Sequence, residues 1–308
     1  MIKQAMPGAC QGKIVVILGP TASGKSNLAV QIAKQVNGEI ISADSRQIYK
    51  HLDIGSGKIT KQEMENILHH MLDIVKPDQH YSLHDWQQDS FKTINKIIKN
   101  NKVPIIAGGT GLYISSILQN YRIPATDKNI RTKLKDCSLP ELVKQLKAND
   151  PESATKIDLK NKIHVTRALE YTLAFRQSLS TSQETSECPY DFLVFGIDPG
   201  REELYTRIDQ RVLNMVEAGL IDEVKNIYCH FPEKSLVALS GIGYKEIVEY
   251  LDDKISKQAA IAQIQQNTRR YAKRQMTWWR RMEKQGIKIH WNEPISSAVE
   301  KIKDFLNK

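Results

Sequence analysis

Residues 19 to 26 read G-P-T-A-S-G-K-S, a spacing of glycines, lysine and hydroxyls suited to holding a phosphate. Gly19 and Gly24 let the backbone curl around an anion. The amides of Thr21, Ala22 and Ser23, beyond Pro20, join those of the next helix in pointing at it. Lys25 is long enough to reach terminal phosphate oxygens, and the Ser26 hydroxyl can ligate Mg2+. The flanks agree with this reading. Ile14, Val15, Val16, Ile17 and Leu18 form an unbroken apolar run, as a strand buried on both faces does, and Leu28, Ile32 and Val36 recur at helical spacing. The chain therefore reads as a binder of a phosphorylated ligand. Kinases, nucleotide hydrolases and enzymes that displace pyrophosphate share this cradle, so the loop alone leaves the reaction open.

Further residues bear on that choice. Asp44 follows the apolar run E-I-I-S-A (39 to 43), where a parallel sheet puts residues on its carboxyl-terminal rim. A carboxylate there can order Mg2+ through water or act as a general base, although a helix N-cap would use the same residue type. Gly108, Gly109, Thr110 and Gly111 follow the strand-like V-P-I-I-A (103 to 107) and bring amides and a hydroxyl to the rim, or simply make a tight connection. Arg207 and Arg211 stand one helical turn apart, spaced to clamp a pyrophosphate or to pair with Glu203 and Asp209. His69, His70, Asp73, His80, His84 and Asp85 invite a metal reading. No cysteine or second carboxylate cluster completes such a site, so structural histidines and a Ser82 helix cap account for them better.

The chain of 308 residues has a net charge of +9. Residues 254 to 288 hold ten Lys or Arg against one acid, Glu283, which equals the whole excess and points to a polyanion docking at one place. Within that segment Arg269, Arg270, Lys273, Arg274, Arg280 and Arg281 interleave with Tyr271, Trp278 and Trp279, cations for phosphates and rings for unpaired bases. Ile261, Ile264, Thr268, Tyr271, Gln275, Trp278 and Met282 repeat every three or four residues, which predicts a helix with those side chains turned inward.

The elements that must position these groups read as α/β. The first 120 residues alternate strands and helices, with helices over 84 to 99 (Trp86, Phe91, Ile94, Ile97, Ile98) and 112 to 118. From Arg122 to Pro189 the pattern turns helical and polar, with apolar positions Leu134, Leu139, Leu142, Val143, Leu146, Ile163, Val165, Leu169, Leu173 and Phe175. Ser178 to Glu187 is rich in Ser, Thr and Glu and reads as a loop. A strand returns at Phe192 to Ile197, and the remainder is helical apart from a short strand at Ile287 to His290. The expected fold is a P-loop NTPase-like parallel sheet flanked by helices, with a small helical domain at 122–189 inserted between core segments 1–121 and 190–308. Nothing approaches the roughly 18 apolar residues of a membrane span. Cys10, Cys137, Cys188 and Cys229 lack C-x-x-C spacing, which suits reduced thiols in the cytoplasm. Met1 to Lys13 has no apolar core and reads as a lead-in to the first strand rather than a signal peptide. With no dimerisation surface in view, a monomer is expected.

Taken together, the motifs resemble the tRNA dimethylallyltransferases, the bacterial tRNA isopentenyltransferases. The resemblance is carried by G-P-T-A-S-G-K-S at 19, A-D-S-R-Q-I-Y at 43, H-H-M-L-D-I at 69, Y-S-L-H-D at 81 and A-G-G-T-G-L-Y at 107. It continues through R-A-L-E at 167, R-V-L-N-M-V-E-A-G-L at 211, G-Y-K-E at 243 and A-K-R-Q-M-T-W at 272. The resemblance implies that N6 of the adenine just 3′ of the anticodon attacks C1 of dimethylallyl diphosphate, releasing pyrophosphate. It implies a diphosphate held by Gly19 to Ser26 and Arg211, with Mg2+ on Ser26 and Asp44 near it through water. Asp44, Thr21 and Arg211 form the implied catalytic set, Asp44 receiving a hydrogen bond or proton from N6. Carried over position by position, the tRNA contacts would be Asp44, Ser45, Arg46, Gln47 and Thr110; Ile163, His164, Val165, Thr166 and Arg167; Gly243, Tyr244 and Lys245; and Lys273, Arg274, Gln275, Thr277, Trp278 and Arg280. The inserted domain and the basic helix would grip the anticodon stem-loop.

This sequence departs from the family pattern in places. G-S-G-K-I (55 to 59) stands where G-T-A-K-P is common, which predicts a more mobile loop around Lys58. N-K-I-H (161 to 164) stands where arginines are usual, which predicts weaker RNA contacts from the inserted domain. Ser26 replaces a commoner threonine and keeps the hydroxyl. The alternative is a P-loop kinase of a nucleoside or small metabolite, sharing the ATP- or nucleotide-binding loop but with no use for the basic aromatic helix.

Overall fold

The structure, a computed structural model, describes residues 12–123, 128–176, 178, 186–231 and 237–308. The expectations for Cys10, for the lead-in before Gly12 and for most of Ser178 to Glu187 lie outside these residues. The strands are β1 (Lys13–Leu18), β2 (Gly38–Ser42), β3 (His69–His70), β4 (Val103–Gly108), β5 (Asp191–Gly196) and β6 (Ile289–Trp291). The helices are α1 (Lys25–Val36), α2 (Leu83–Lys99), α3 (Gly111–Leu118), α4 (Lys128–Lys135), α5 (Leu139–Asn149), α6 (Pro151–Lys156) and α7 (Lys162–Phe175). They continue with α8 (Arg201–Glu217), α9 (Leu220–His230), α10 (Tyr244–Leu251), α11 (Lys257–Lys284) and α12 (Ile295–Asn307). Backbone contacts divide the chain into two compact units. One comprises Met1–Tyr81, Asp89–Ser115 and Pro189–Lys308, the other Ser82–Gln88 and Ser116–Cys188.

The first unit is built on one all-parallel sheet in the order β3-β2-β4-β1-β5-β6. Its centre is β1, which pairs Val15 with Ile105 of β4 on one side and Leu193 of β5 on the other. Ile14 to Leu18 are fully buried, as their unbroken branched run requires when both faces are covered. Val15, Ile17, Ile40, Ile105 and Phe195 pack against Ala29, Val30, Ile32, Ala33 and Val36 of α1 and against Ala298, Val299 and Ile302 of α12. The two-residue β3 was not foreseen, and β6 begins at Ile289 rather than Ile287.

Correct in type, the expected inward face of α11 is rotated in detail. The buried residues are Ala260, Ile264, Ala272, Gln275, Trp279 and Met282. Trp279 thus belongs to the core and is not free to stack on a base, whereas Trp278 is half-buried. The stripe follows from 3.6 residues per turn, which brings 272, 275, 279 and 282 onto one line.

In the second unit, Leu134, Leu142, Leu146, Ala154, Val165, Ala168 and Leu169 form a separate core. Ser138 and Glu141 make a capping box on α5, the Ser138 N–H and hydroxyl donating to Glu141 Oε2 at 2.8 and 2.7 Å. The expected Ser82 cap is present: its Oγ accepts the Asp85 N–H at 3.2 Å, and its N–H and hydroxyl donate to Asp85 Oδ2 at 2.8 and 2.7 Å. Of the apolar positions in this helical pattern, Ile163, Leu173 and Phe175 are exposed. Asn161 Oδ1 accepts the Ile163 and His164 N–H groups at 3.1 and 3.4 Å, which starts α7 with Ile163 facing outward, 76% exposed.

Candidate active site

In this sheet order, β2, β4 and β1 are neighbours and all run the same way. Their carboxyl ends therefore deliver Asp44, Thr110 and the phosphate loop to a common rim. The loop is curled as a backbone nest, with Ala22 and Gly24 at φ +62° and +91°. The Ser23 N–H donates to Pro20 O at 3.3 Å, and Lys25 Nζ to the same oxygen at 3.3 Å. Burial lowers Lys25 to about 8 from its ordinary 10.5, with Asp44 pulling it back up and Arg211 pushing it further down. That balance makes Lys25 responsive to an arriving anion.

Asp44 is followed by a turn, not a helix, so the N-cap alternative gives way to a local bond: its Oδ1 accepts the Arg46 N–H at 2.8 Å. Its charge acts on Lys25, Arg211 and Tyr271. Tyr271 is pushed up to about 12 by burial and by Asp44, opposed by a hydrogen bond with Thr110. Thr110 in turn ties the rim together, its Oγ1 accepting the Ser45 N–H at 3.2 Å and its N–H donating to Ala43 O at 3.1 Å. Tyr271 was foreseen as a stacking or inward-facing ring. That it lies within electrostatic reach of Asp44 carried no sequence signal.

The two arginines of α8 separate into different roles. Arg207 pairs with Glu203 and donates to Ser23 O at 3.4 Å. Asp209, the other expected partner, pairs with Arg269 instead. Arg211 has no carboxylate partner among the described residues and donates Nη2 to Gly57 O at 3.3 Å. Burial lowers its pKa, while Asp44 and Glu63 oppose the shift. The Lys58 loop, expected to be more mobile, is tied down by its lysine. Lys58 Nζ donates to Tyr49 O at 2.9 Å and to Asp53 Oδ1 and Asp73 Oδ1, each at 2.6 Å, and its side chain is 6% exposed.

Around the rim, Arg46 donates to Val237 O at 2.5 Å and Ser240 Oγ at 3.3 Å, and Gln47 Nε2 donates to Gly57 O at 3.3 Å. Lys273, Arg274, Thr277 and Arg280 are exposed on α11, and Trp278 Nε1 donates to Ser115 Oγ at 2.9 Å. Gly243 donates its N–H to Glu246 Oε2 at 2.8 Å, and Lys245 is exposed. Gln275 is buried and bonded to the loop, and Tyr244 is fully buried. In the other unit Ile163, His164 and Arg167 are exposed and Thr166 half-buried, but Val165 is fully buried. Val165 and Tyr244 therefore cannot meet RNA through their side chains. Their packing against the cores sets where their neighbours stand.

The histidines have partners of their own. His70 Nε2 lies 2.7 Å from Glu39 Oε2, while the other oxygen, Oε1, accepts from Lys102 Nζ at 2.7 Å; His69 and His84 bond to the carbonyls of Ile67 and Ile123. Among the described residues no three His, Cys, Asp or Glu side chains gather as metal ligands. The donor set at the loop is different: an exposed Ser26 at the start of α1, with no hydrogen bond from its hydroxyl among the described residues, beside the phosphate cradle and Asp44. That set fits a hard cation bound chiefly by substrate phosphates and water, the usual habit of Mg2+.

A parallel sheet whose central strand runs into this loop, with an arginine and a carboxylate at the same rim, defines a P-loop protein. Residues 47–282 match the family model of the IPP transferases. The chain is 42% identical over 299 residues to the tRNA dimethylallyltransferase of Acetivibrio thermocellus, covering 94% of each chain. It is 44% identical over 294 residues to that of Anoxybacillus flavithermus, covering 93% of this chain and 92% of the relative. The tRNA delta(2)-isopentenylpyrophosphate transferase of Staphylococcus epidermidis superposes with a TM-score of 0.69 at 39% identity, covering 96% and 99% of the two chains. A eukaryotic dimethylallyltransferase acting on tRNA gives 0.79 at 27% identity over 96% of this chain and 80% of its own. The chain belongs to the IPP transferase family.

Proposed function

We propose that this chain transfers the dimethylallyl group of dimethylallyl diphosphate to N6 of the adenine 3′-adjacent to the anticodon of tRNA. Full-length relatives that are tRNA dimethylallyltransferases support transfer of a dimethylallyl group to tRNA. The observation that carries the finer reading is the convergence of Lys25, Arg211 and Asp44 on one rim, each acting electrostatically on the next. Cations suit a leaving diphosphate, and an adjacent carboxylate suits the amine that displaces it.

In this reading the N6 lone pair forms a bond to C1 while the C1–O bond breaks, and diphosphate leaves with that electron pair. The loop amides, Thr21, Lys25 and Arg211 receive the growing negative charge where it develops. Asp44 orients the amine and takes the N6 proton, which then passes to solvent. Mg2+ held by Ser26 Oγ, water and diphosphate oxygens, with Asp44 through water, would supply further neutralisation of the leaving group. Arg46 and the exposed cations of α11 face the polyanion, and the exposed residues at the start of α7 add contacts from the inserted domain. Extruding the target base from its stack brings N6 to Asp44.

The kinase alternative is not favoured: it leaves the charge of α11 without a use, and full-length relatives carry the transferase name. Among the described residues no helix is long and apolar enough to cross a membrane. The proposal includes a monomer working in the cytoplasm. Offering the protein tRNA, Mg2+, dimethylallyl diphosphate and ATP together separates the readings. Pyrophosphate release that requires tRNA and the prenyl donor supports transfer. Phosphorylation of a nucleoside at the expense of ATP, without tRNA modification, overturns it.

A further inference from the structure

Glu223 lies on α9, outside both the phosphate loop and α11. Its carboxylate nevertheless accepts four hydrogen bonds. Oε2 takes the N–H groups of Asp53 at 2.9 Å and Ile54 at 2.7 Å, and Oε1 takes the Gly55 N–H at 3.0 Å and the Tyr244 hydroxyl at 2.8 Å. Three consecutive amides aimed at one anion form a nest of the kind that binds phosphate, here filled by the protein's own side chain. A carboxylate has about four acceptor sites, so this one is saturated. Burial raises Tyr244 far above the ordinary tyrosine range, and the Glu223 charge adds to it, so the phenol stays a donor.

The segment fixed by these bonds leads directly to Gly57. Gly57 O accepts both Arg211 Nη2 and Gln47 Nε2 at 3.3 Å, and for Arg211 it is the one hydrogen-bond acceptor among the described residues. Lys58 pins the loop on its other side. The approach is close: Gly57 sits at φ +58°, and a Cβ there would lie 1.6 Å from Arg211 Nη2. The backbone at 53–57 is thus the wall against which the guanidinium rests.

We propose that Glu223 is a positioning residue for the transfer step, holding the 53–57 backbone so that Gly57 presents Arg211 to the leaving diphosphate. This rests on the assignment of Arg211 to the diphosphate. Charge-assisted bonds to backbone amides are strong and directional, so losing them lets the wall and the arginine drift together.

The test is a double-mutant cycle read by calorimetric binding of inorganic pyrophosphate with Mg2+ to the full chain, which needs no turnover. Glu223→Ala is expected to weaken pyrophosphate about tenfold, Glu223→Asp to recover most of that, and tRNA affinity to stay within about twofold. Adding Glu223→Ala to Arg211→Ala is expected to cost nothing further, because both act through one guanidinium. Glu223→Gln keeps the shape but offers the amides a single oxygen, and it carries the test if the alanine variant does not fold. Pyrophosphate affinity unchanged in the Glu223 variants overturns the inference, as do losses that multiply in the double variant. If Arg211→Ala itself binds pyrophosphate normally, the assignment of Arg211 fails and the inference with it. A loss in Arg211→Ala alone defeats only the role of Glu223.

Discussion

Gln275 Oε1 accepts the N–H of Thr21 at 2.9 Å while Gln275 Nε2 donates to Gly109 O at 2.7 Å, so one buried amide joins α11 to the phosphate loop and to the adjacent strand-end turn. The neighbouring Lys273 and Arg274 face solvent. The helix that bears the chain's excess charge on its outer face therefore braces, from its inner face, the loop proposed to receive the diphosphate. Geometry of this kind makes Gln275 a structural bridge rather than an RNA contact.

Gln275→Leu removes both bonds and leaves a buried donor and a buried acceptor unpaired, a loss of roughly 1–3 kcal/mol per group. The expected outcome is a lower unfolding free energy in urea, together with a raised KM for the prenyl donor. Unchanged stability would show that water or a neighbour replaces the amide.

Arg207 and Arg211 are the same residue one turn apart, yet their surroundings predict different costs. Arg211→Ala is expected to lower kcat/KM about 100-fold or more, as loss of a group stabilising leaving-group charge does. Arg207 is engaged with Glu203 and Ser23 O. Its alanine variant is expected to lose less than about tenfold, since exposed ion pairs contribute little. Steady-state kinetics of the two variants, side by side, checks the order.

Gly57→Ala tests the wall from the other side. The new Cβ must displace Arg211 Nη2, and a left-handed conformation costs a non-glycine residue about 1–2 kcal/mol. The expected result is a KM for the prenyl donor raised about tenfold with tRNA affinity retained. Normal donor kinetics would mean that Arg211 works from another position.

The depressed Lys25 gives a pH dependence with a defined sign. Its ammonium predominates about one pH unit below 8, is half lost at about 8 and disappears above it. Pyrophosphate affinity should begin to fall near pH 7 and approach a tenfold loss per pH unit well above about 8, with proton uptake on binding. Lys25→Met should bind weakly with this pH dependence removed. A wild-type affinity that stays flat to about pH 9.5 would place the titration elsewhere.

Much of the fold was legible because buried parallel strands have a continuous apolar signature. Ile14 to Leu18, 103 to 107 and 192 to 197 needed only that pattern, and the loop at 19 to 26 fixed what followed the first of them. His69–His70 was missed as a strand because two residues show no period; β2 alone makes it one. Helical spacing alone does not separate Arg211 from Arg207, and only the family resemblance singled out Arg211; the physical difference lies in Glu203 against Gly57, the latter 154 positions away in sequence. The bonds of Lys58 were hidden for a similar reason: the departure from the family pattern at 55 to 59 says nothing of Asp53, Asp73 and Tyr49 O, which hold its ammonium. Glu223 had no signal at all, because a carboxylate that caps distant amides looks like any helical surface acid. Trp279 followed the spacing of the core once its neighbours were known, but Trp278 and Trp279 cannot be ranked from periodicity when the stripe drifts.

The most direct measurement is mass analysis of nucleosides from an unmodified tRNA with adenine 3′ to its anticodon, incubated with the protein, Mg2+ and dimethylallyl diphosphate. Wild type should yield dimethylallyl adenosine at that position, and Asp44→Ala should make it at least about 100-fold more slowly while still binding pyrophosphate. No prenylated nucleoside from wild type, or an Asp44→Ala variant as fast as wild type, would contradict the assignment of this rim as the site of transfer.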